Sequence, residues 1–459
     1  MSLYKVEKSD LYKSIRKKLG DMTTIDTHEH LGSEEAWLNT DYPDWTNVLG
    51  YSMTDLFNAG LPMDNFPFPP NRHPVIKADF GYDITPKVQS DGMEKWKVVK
   101  PYWKYVRSNG GGQIARKCLQ IFFGCDDFTD ETVPMIDKKY KEYLKPGAYK
   151  EILRKKGKFE HVVTIALSLE ETPATDILAP LIYQDQYCDI ENRGELYRIE
   201  KSANQEVYSM KTYLQAVDSI LERYKKNGCI GIKWHRMAYL RENNFPHASY
   251  ADAERSLAKI LSEKPNRGGT GSASSVGQDY IYDFQNYMVH YMIQKAIEYD
   301  WGIQIHAATL GLSYGGNNMF SEIKNLTPIF TRYPQARFDM LHGAWPFPTE
   351  LHAIAHLMPN VFINPSWVEL LSPYLYKSWF KELLTSIPLT KIMACGPDQF
   401  DPLMSVAYAD KTKDLWAEIL EELIVAGDYT EDDAMFAAKT CFYDVPKQYF
   451  RLDNRIIPK

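Results

Sequence analysis

The sequence predicts an α/β protein, a (β/α)8 TIM barrel with a large helical insertion after the first strand. Short apolar runs end in polar side chains of the metal-ligand type, namely His28, His30, Lys233, His306, His342 and Asp398. The later runs recur at intervals of 36, 23 and 31 residues, counted between Ile305, Leu341, Asn364 and Cys395, and such intervals suit βα units. The chain has 459 residues, which exceeds the ~250 of a plain barrel and leaves room for an insertion. A barrel would bring these strand ends to one face.

The first third of the chain predicts one strand and a long helical region. A helix over residues 8–19 precedes a strand over 22–30, and residues 31–158 are rich in Trp, Tyr, Pro and Gly and contain no convincing strand. We interpret 31–158 as a helical insertion within one barrel of residues 1–459. Its aromatic side chains form either a small core of their own or a lid over the mouth of the barrel. They include Trp37, Trp45, Trp96 and Trp103.

The rest of the chain predicts seven more strands, which alternate with helices. Apolar, β-branched runs bounded by turn or charged residues carry the strands. They cover residues 160–169, 177–185, 229–235, 302–306, 337–342, 361–366 and 391–398. Helices are predicted over 207–226 and 280–300, and Thr430 with Asp433 resembles a capping box that begins a late helix. The Gly/Ser-rich segment 263–279 predicts a surface loop.

Composition and charge exclude several classes of partner. The net charge is -7 and the pI is near 5.9, whereas a nucleic-acid or anionic-membrane partner favours a basic face. The charged N-terminus lacks the apolar core of a secretion signal, and no apolar run reaches the ~18 residues of a membrane span. We therefore expect a cytoplasmic protein. Its six cysteines lack CxxC spacing and predict buried free thiols.

The polar strand ends predict a metal centre. His28 and His30 are two apart on a strand, so both side chains share one face, as does Asp26. Alone, this HxH pattern is equally consistent with a structural role. His306 and Asp398 end further strands, and three imidazoles with a carboxylate suit zinc and leave a position open for water. That water needs a base, for which Asp398 or His342 is suitable.

These residues resemble the amidohydrolase superfamily and, within it, the amidohydrolase 2 branch. The resemblance covers the barrel and is strongest in "FDMLHGAWPFPTELHAIAHLMPNVFINPSWVELLSP" and "KIMACGPDQFDP". The segment "IKWHRMAYLRENN" also looks like the fourth-strand region of amidohydrolase domains fused to glutamine-synthetase-like proteins. The resemblance implies that four residues bind the metal, with His342 as a second ligand or as the acid/base. These four are His28, His30, His306 and Asp398.

Lys233 allows two interpretations. In members of the superfamily with two metals a carboxylated Lys of the fourth strand bridges the ions, so the number of ions, one or two, stays open. We favour instead a contact with an anionic substrate, shared by His235 on the same face. Further substrate contacts are predicted for Arg236 and Tyr239 after the fourth strand and for Trp367 after the seventh, although loop salt bridges or packing would explain them as well.

The resulting functional prediction is a metal-dependent hydrolase. It would use a zinc-activated water on a C–N or C–O bond of a small substrate that bears a carboxylate. One alternative is a non-hydrolytic enzyme of the same superfamily, either a decarboxylase or an enzyme like the uronate isomerases, which move a proton between neighbouring carbons. Another is a catalytically silent barrel that serves as a binding or scaffold subunit. The oligomeric state stays open, with a homo-oligomer as one alternative.

Overall fold

The computed structural model describes residues 7–40, 42–62, 91–235, 238, 244–262, 279–307 and 322–458. Its strands form one seven-stranded sheet whose order follows the chain, β1 to β7. They are β1 (Thr24–Glu29), β2 (Phe159–Ala166), β3 (Leu178–Tyr183), β4 (Gly231–Trp234), β5 (Gly302–His306), β6 (Phe338–Leu341) and β7 (Val361–Ile363). Neighbours from β3 to β6 pair in parallel, which requires a crossover between each two strands. The predicted α/β barrel topology and the positions of its first seven strands are confirmed.

The register aligns polar side chains across three neighbouring strands. Lys233 of β4 pairs with Gln304 of β5, which pairs with Asp339 of β6, and all three are buried. The Gln304 amide donates to Asp339 Oδ2 at 2.8 Å, so these two polar groups satisfy each other. Since side chains alternate along a strand, His306 lies on the same face as Gln304, at the C-terminal end of β5.

The eighth predicted strand is present as a short bridging segment. Ile392 forms a parallel bridge with Ile363, and the Met393 amide donates to the Ile363 carbonyl at 2.9 Å. On its other side the Thr27 amide donates to the Cys395 carbonyl at 3.0 Å. The segment therefore hydrogen-bonds both to the end of β7 and to β1, which closes the series of eight strand positions. Regular pairing stops there because Gly396 and Pro397 follow.

The chain divides into two compact units. The first comprises Met1–Leu61, Gln89–Val163 and Ile363–Gln448, and the second Pro62–Val88, Thr164–Phe362 and Tyr449–Lys459. The α-helices of the first are Asp10–Asp21, Glu34–Leu38, Ser52–Asn58, Gly92–Val106, Gly110–Cys118, Thr132–Tyr143, Val368–Leu371, Pro373–Ser386, Pro402–Ala426, Glu431–Lys439 and Val445–Tyr449. Those of the second are Asp185–Cys188, Arg193–Ala203, Met210–Lys226, Tyr250–Ser262, Asp279–Glu298, Thr327–Arg332 and Pro348–Leu357. The predicted helices over 8–19, 207–226 and 280–300 are confirmed.

Short 3-10 and π segments accompany these helices. The 3-10 turns are Trp45–Leu49, Ile323–Leu326, His342–Ala344, Leu389–Lys391 and Leu452–Asn454, and the π segments are Leu119–Phe123, Lys150–Lys156 and Thr440–Asp444. The Thr430 side chain accepts from the Asp433 amide and the reciprocal bond is present, which confirms the capping box. The predicted loop 263–279 lies almost entirely outside the described residues.

The described part of the insertion between β1 and β2 is helical and contains no strand. Trp45 and Trp103 pack on Phe128 with ring centroids 5.1 Å apart in each case, and Trp96 meets Trp45 edge-on at 5.8 Å. These buried aromatics are the insertion's own core, because each contacts another residue of the same segment. A lid role for this segment stays a prediction.

Helix Pro402–Ala426 organises the first unit and begins four residues after Asp398. Its 25 residues lie between the N-cap Asp401 and the C-cap Gly427, whose left-handed φ of 83° ends the helix. Arg16 and Lys117, from two other helices, pair with Asp410 and Asp414 on its surface. This partly buried cluster fixes three helices relative to one another within the unit.

Two further expectations from composition can be compared with the structure. All six cysteines are free thiols, five buried and Cys125 half-buried, as predicted. Among the described helices, none combines the length and the apolar character that a membrane crossing needs.

Candidate metal centre and active site

Two histidines of the candidate site, His28 and His30, lie at the C-terminal end of strand β1. All six residues of β1 are buried, and His28 is 1% exposed, whereas the His30 side chain just beyond the strand retains 23%. The two rings meet edge-on with centroids 5.4 Å apart. The predicted pairing of both imidazoles on one face is present.

Asp398 brings a carboxylate to these two imidazoles. Its Oδ1 lies 3.6 Å from His28 Nε2 and 3.1 Å from His30 Nε2. Two ligand atoms of one tetrahedral zinc ion lie about 3.4 Å apart, given bonds of about 2.0–2.1 Å. Each of these two nitrogen–oxygen distances is compatible with a divalent cation bound between the two atoms. The Asp398 backbone has a left-handed φ of 56°, and its amide donates to the His28 carbonyl at 2.8 Å.

Aromatic residues of the same unit surround this group. The Tyr51 hydroxyl donates to Asp398 Oδ1 at 3.3 Å, and Trp367 meets the Tyr51 ring edge-on at 4.7 Å. Phe400 stacks on the His30 ring at 5.1 Å. Trp367 was predicted to contact substrate and is 4% exposed. Tyr51 was not predicted, because it belongs to an aromatic-rich insertion in which no local pattern distinguishes it.

Two buried carboxyl groups lie next to His28 along β1. Asp26 Oδ1 accepts from the His28 backbone amide at 3.1 Å, and the Asp26 and Glu29 carboxyls interact electrostatically. Burial raises the pKa of both carboxyls well above the usual range. Glu29 also accepts from the Gln399 amide, which joins β1 to the segment that carries Asp398.

In the second unit two histidines from neighbouring strands lie side by side. His306 ends β5 and His342 follows β6, and His342 Nε2 lies 3.1 Å from His306 Nδ1. At the turn after β6, His342, Gly343 and Ala344 all have positive φ, of 60°, 55° and 50°, so the whole turn is left-handed. This turn directs the His342 ring toward His306.

The end of β4 provides the predicted substrate-contact residues. Lys233 is 1% exposed, and the ring of His235 lies 5.1 Å from His306 and 5.8 Å from Tyr183. The His235 amide donates to Asp185 Oδ2 at 2.8 Å, a contact that the sequence did not suggest. The predicted contacts Arg236 and Tyr239, with Arg241, lie outside the described residues.

Metal-ligand-type groups are thus buried at the ends of β1, β6 and the eighth segment. Among the described residues, His28, His342 and Asp398 are buried residues that could bind a metal ion. The finer assignments of ligand, acid/base and substrate contact remain proposals.

Comparison with known proteins places these residues in context. No protein-family model matches the chain. The chain is 20% identical to the uronate isomerase of Phenylobacterium zucineum over 486 positions, which cover 97% of the chain and 94% of that protein. A second match, 24% identical over 155 residues, relates 33% of the chain to protein fluG of Emericella nidulans and spans only 18% of its length.

A solved structure extends the comparison to the whole fold. The crystal structure of uronate isomerase from Thermotoga maritima superposes with a TM-score of 0.75 and 18% identity, covering 96% of this chain and 98% of that one. At this identity the likeness establishes the fold, a TIM-barrel-like α/β structure with an insertion between early elements.

The predicted hydrolase activity is wrong. The relative that matches almost the whole chain is a uronate isomerase, and so is the superposed structure. These full-length matches therefore favour the alternative considered from sequence, an isomerase, over a hydrolase of the amidohydrolase 2 branch. The error has a physical reason, because a group of His and Asp residues that could bind a metal ion does not specify which bond of the substrate changes.

Proposed function

We propose that this chain is a metal-dependent isomerase of uronates, the sugar acids that carry a carboxylate at one end and a carbonyl group at the other. The observation that carries the proposal is the full-length sequence similarity to a uronate isomerase. The converging His28, His30 and Asp398 provide the chemistry that such a reaction can use.

In this proposal one divalent cation, zinc by donor preference, is held by His28, His30 and Asp398, with His306 as the further predicted ligand. A bound divalent ion supplies Lewis-acid polarisation of the substrate's carbonyl and hydroxyl oxygens. Phe400 stacks on His30 and limits the rotation of this partly exposed ligand. The hydrogen bond from the Asp398 backbone amide to the His28 carbonyl fixes the position of Asp398 relative to His28.

The reaction moves one hydrogen between neighbouring carbons. A C–H bond breaks next to the carbonyl, a C–H bond forms at the carbonyl carbon, and the hydroxyl proton passes to the former carbonyl oxygen, so no oxidant is needed. A general acid/base must hold the proton in between. Tyr51 and Asp398 share one hydrogen bond and can take up and return a proton as a pair. His342, beside His306, is the second candidate from the sequence.

The carboxylate of the substrate would be bound by the cationic end of β4. Lys233 supplies an ammonium group and His235, two residues further along the chain, an imidazole, while the Asp185 contact fixes the His235 backbone. A buried ammonium group gains most from an anionic partner, since water does not solvate it. We propose Arg236, Tyr239 and Trp367 as further contacts, as the sequence indicates.

The test uses zinc-loaded protein and D-glucuronate labelled with 13C at carbon 1. Isomerisation converts carbon 1 from a hemiacetal carbon to a hydroxymethyl carbon, and 13C NMR distinguishes the two directly. We expect turnover that is lost after chelation and restored by zinc. D-Galacturonate is tested in parallel. Metal-loaded protein that converts neither uronate, or that releases carbon dioxide from them, would contradict the proposal.

A further inference from the structure

Trp367 has a backbone conformation that its residue type disfavours. Its φ is 79°, in the left-handed region where a β-carbon clashes with the backbone. A conformation of this kind persists when surrounding contacts fix it, and it frequently marks a functional position. Here the Trp367 ring packs edge-on against Tyr51, whose hydroxyl donates to Asp398.

The contact that fixes this backbone is a buried hydrogen-bond chain. The Trp367 amide donates to the Tyr408 hydroxyl oxygen at 2.8 Å, and the Tyr408 hydroxyl donates to a carboxylate oxygen of Glu369. Thr412 donates to the other oxygen of Glu369 at 3.0 Å. Tyr408 and Thr412 lie one turn apart on helix Pro402–Ala426 and so face the same carboxylate.

The polar groups of this hydrogen-bond network are paired with one another and excluded from water. Glu369 is 1% exposed and Tyr408 is fully buried. Burial raises the pKa of Glu369 to about 8, although bonds from Tyr408 and Thr412 act in the opposite direction. Packing alone would not require a carboxyl group here, because an apolar residue fills such a space without desolvation cost. A fully connected polar network, in contrast, specifies one geometry.

We propose that Glu369 is a positioning residue, which acts through Tyr408 to hold Trp367 in its left-handed conformation and so directs the Tyr51 hydroxyl at Asp398. The effect on turnover rests on the proposed isomerase function, whereas the effect on the position of Trp367 does not. All five residues belong to the same compact unit. The contacts that carry the proposal run from Glu369 through Tyr408, Trp367 and Tyr51 to Asp398.

The first measurement is independent of activity. Protein labelled with 5-fluorotryptophan gives 19F resonances, and the signal lost in Trp367→Phe identifies Trp367. Tyr408→Phe removes one hydroxyl and should shift or broaden that signal. Glu369→Gln keeps an acceptor for Tyr408 and should produce a smaller change. The matched control is Tyr213→Phe, which removes the hydroxyl of another fully buried tyrosine, one that donates to the Tyr187 carbonyl at 2.6 Å in the other unit.

An unmoved Trp367 signal in folded Tyr408→Phe overturns the proposal, as does an equal shift in Tyr213→Phe. Should Tyr408→Phe fail to fold, the isosteric Glu369→Gln decides by the same signal: a small shift of the Trp367 resonance supports the proposal, and an unmoved resonance overturns it. The metal content of both variants should equal that of the wild type, because neither substitution changes a proposed metal ligand.

The second measurement is a double-mutant cycle on turnover of D-glucuronate. If Tyr408 acts through Tyr51, Tyr408→Phe should lower kcat roughly ten-fold in the wild type with KM little changed, and less than about two-fold when Tyr51 is already Phe. Equal losses in both backgrounds overturn the proposal. If the wild type converts no uronate, the isomerase function fails while the fluorine measurement still decides the positioning role.

Discussion

His30 Nε2 lies 3.1 Å from Asp398 Oδ1, and the two residues come from opposite ends of the chain. An imidazole nitrogen and a carboxylate oxygen at this distance either share a proton or bind the same cation. His28 Nε2, at 3.6 Å from the same oxygen, adds a third donor and favours the cation.

We therefore expect purified protein to hold about one tightly bound divalent ion. His30→Ala should lose it and remain folded, because the partly exposed His30 lies beyond the end of β1. Elemental analysis with circular dichroism measures both. His356→Ala, at an exposed position of helix Pro348–Leu357, is the control and should retain the ion. Wild-type protein that binds neither zinc nor manganese would exclude the metal centre.

Substitutions of His342 and of His306 should have different effects on metal content and on kcat. If His342 is an acid/base, His342→Asn keeps the metal and lowers kcat roughly 10²- to 10⁴-fold. His306→Ala, in contrast, should release the metal from a folded barrel, since the core lies below the strand end. Metal content and kcat measured on the same preparations separate the two roles. Loss of the metal in His342→Asn would instead identify His342 as a metal ligand.

Lys233→Met should raise KM for D-glucuronate while the metal content stays constant. A contact that substrate and transition state share appears in KM rather than kcat. The control substrate is D-glucose, which lacks the carboxylate, so any turnover of it should be unaffected. A fall from two ions to one, or recovery with bicarbonate, would instead identify Lys233 as a carboxylated bridge between two ions.

Stability should depend on pH through Glu369. Burial raises its pKa from 4.5 to about 8, so the folded state binds the proton more tightly than the unfolded state. Its contribution to stability is present below about pH 4.5 and is lost as pH rises through about 8. Glu369→Gln lacks this loss, so its stability relative to the wild type should increase between pH 5 and pH 8.5. Urea midpoints at the two pH values measure this. Parallel pH profiles for both proteins would refute the shift.

The comparison with Glu369→Gln is needed because other buried groups titrate nearby. Burial lowers the pKa of Lys391 and of Lys413 to about 8. Such groups increase the stability of the folded protein as pH rises toward the usual lysine range. Their contributions are the same in both proteins and cancel in the difference.

Much of the fold could be predicted because strand positions depend on local composition. Apolar, β-branched runs such as the one that ends at His306 can be recognised as strands from the sequence alone. The polar residue that ends each run indicates the face where the strand ends meet. The capping box at Thr430 is local in the same sense.

The rest depends on contacts between distant segments. Tyr51 and Asp398 meet only after the eighth segment has joined β1, and the link from Glu369 to Trp367 passes through a tyrosine on another helix. No local pattern signals either contact. The reaction class was predicted incorrectly for a different reason, since the same ligands support hydrolysis and isomerisation alike.

Main-chain bonds between the eighth segment and β1 also bear on how the enzyme is assembled in a cell. The Asp398 amide donates to the His28 carbonyl and the His30 amide to the Gln399 carbonyl, so backbone hydrogen bonds contribute to the spacing of the three proposed ligands. We therefore expect that the chain can fold before a metal ion binds. We expect an ion that exchanges without unfolding, and an enzyme whose metal in the cell reflects which divalent cation is available when folding is complete.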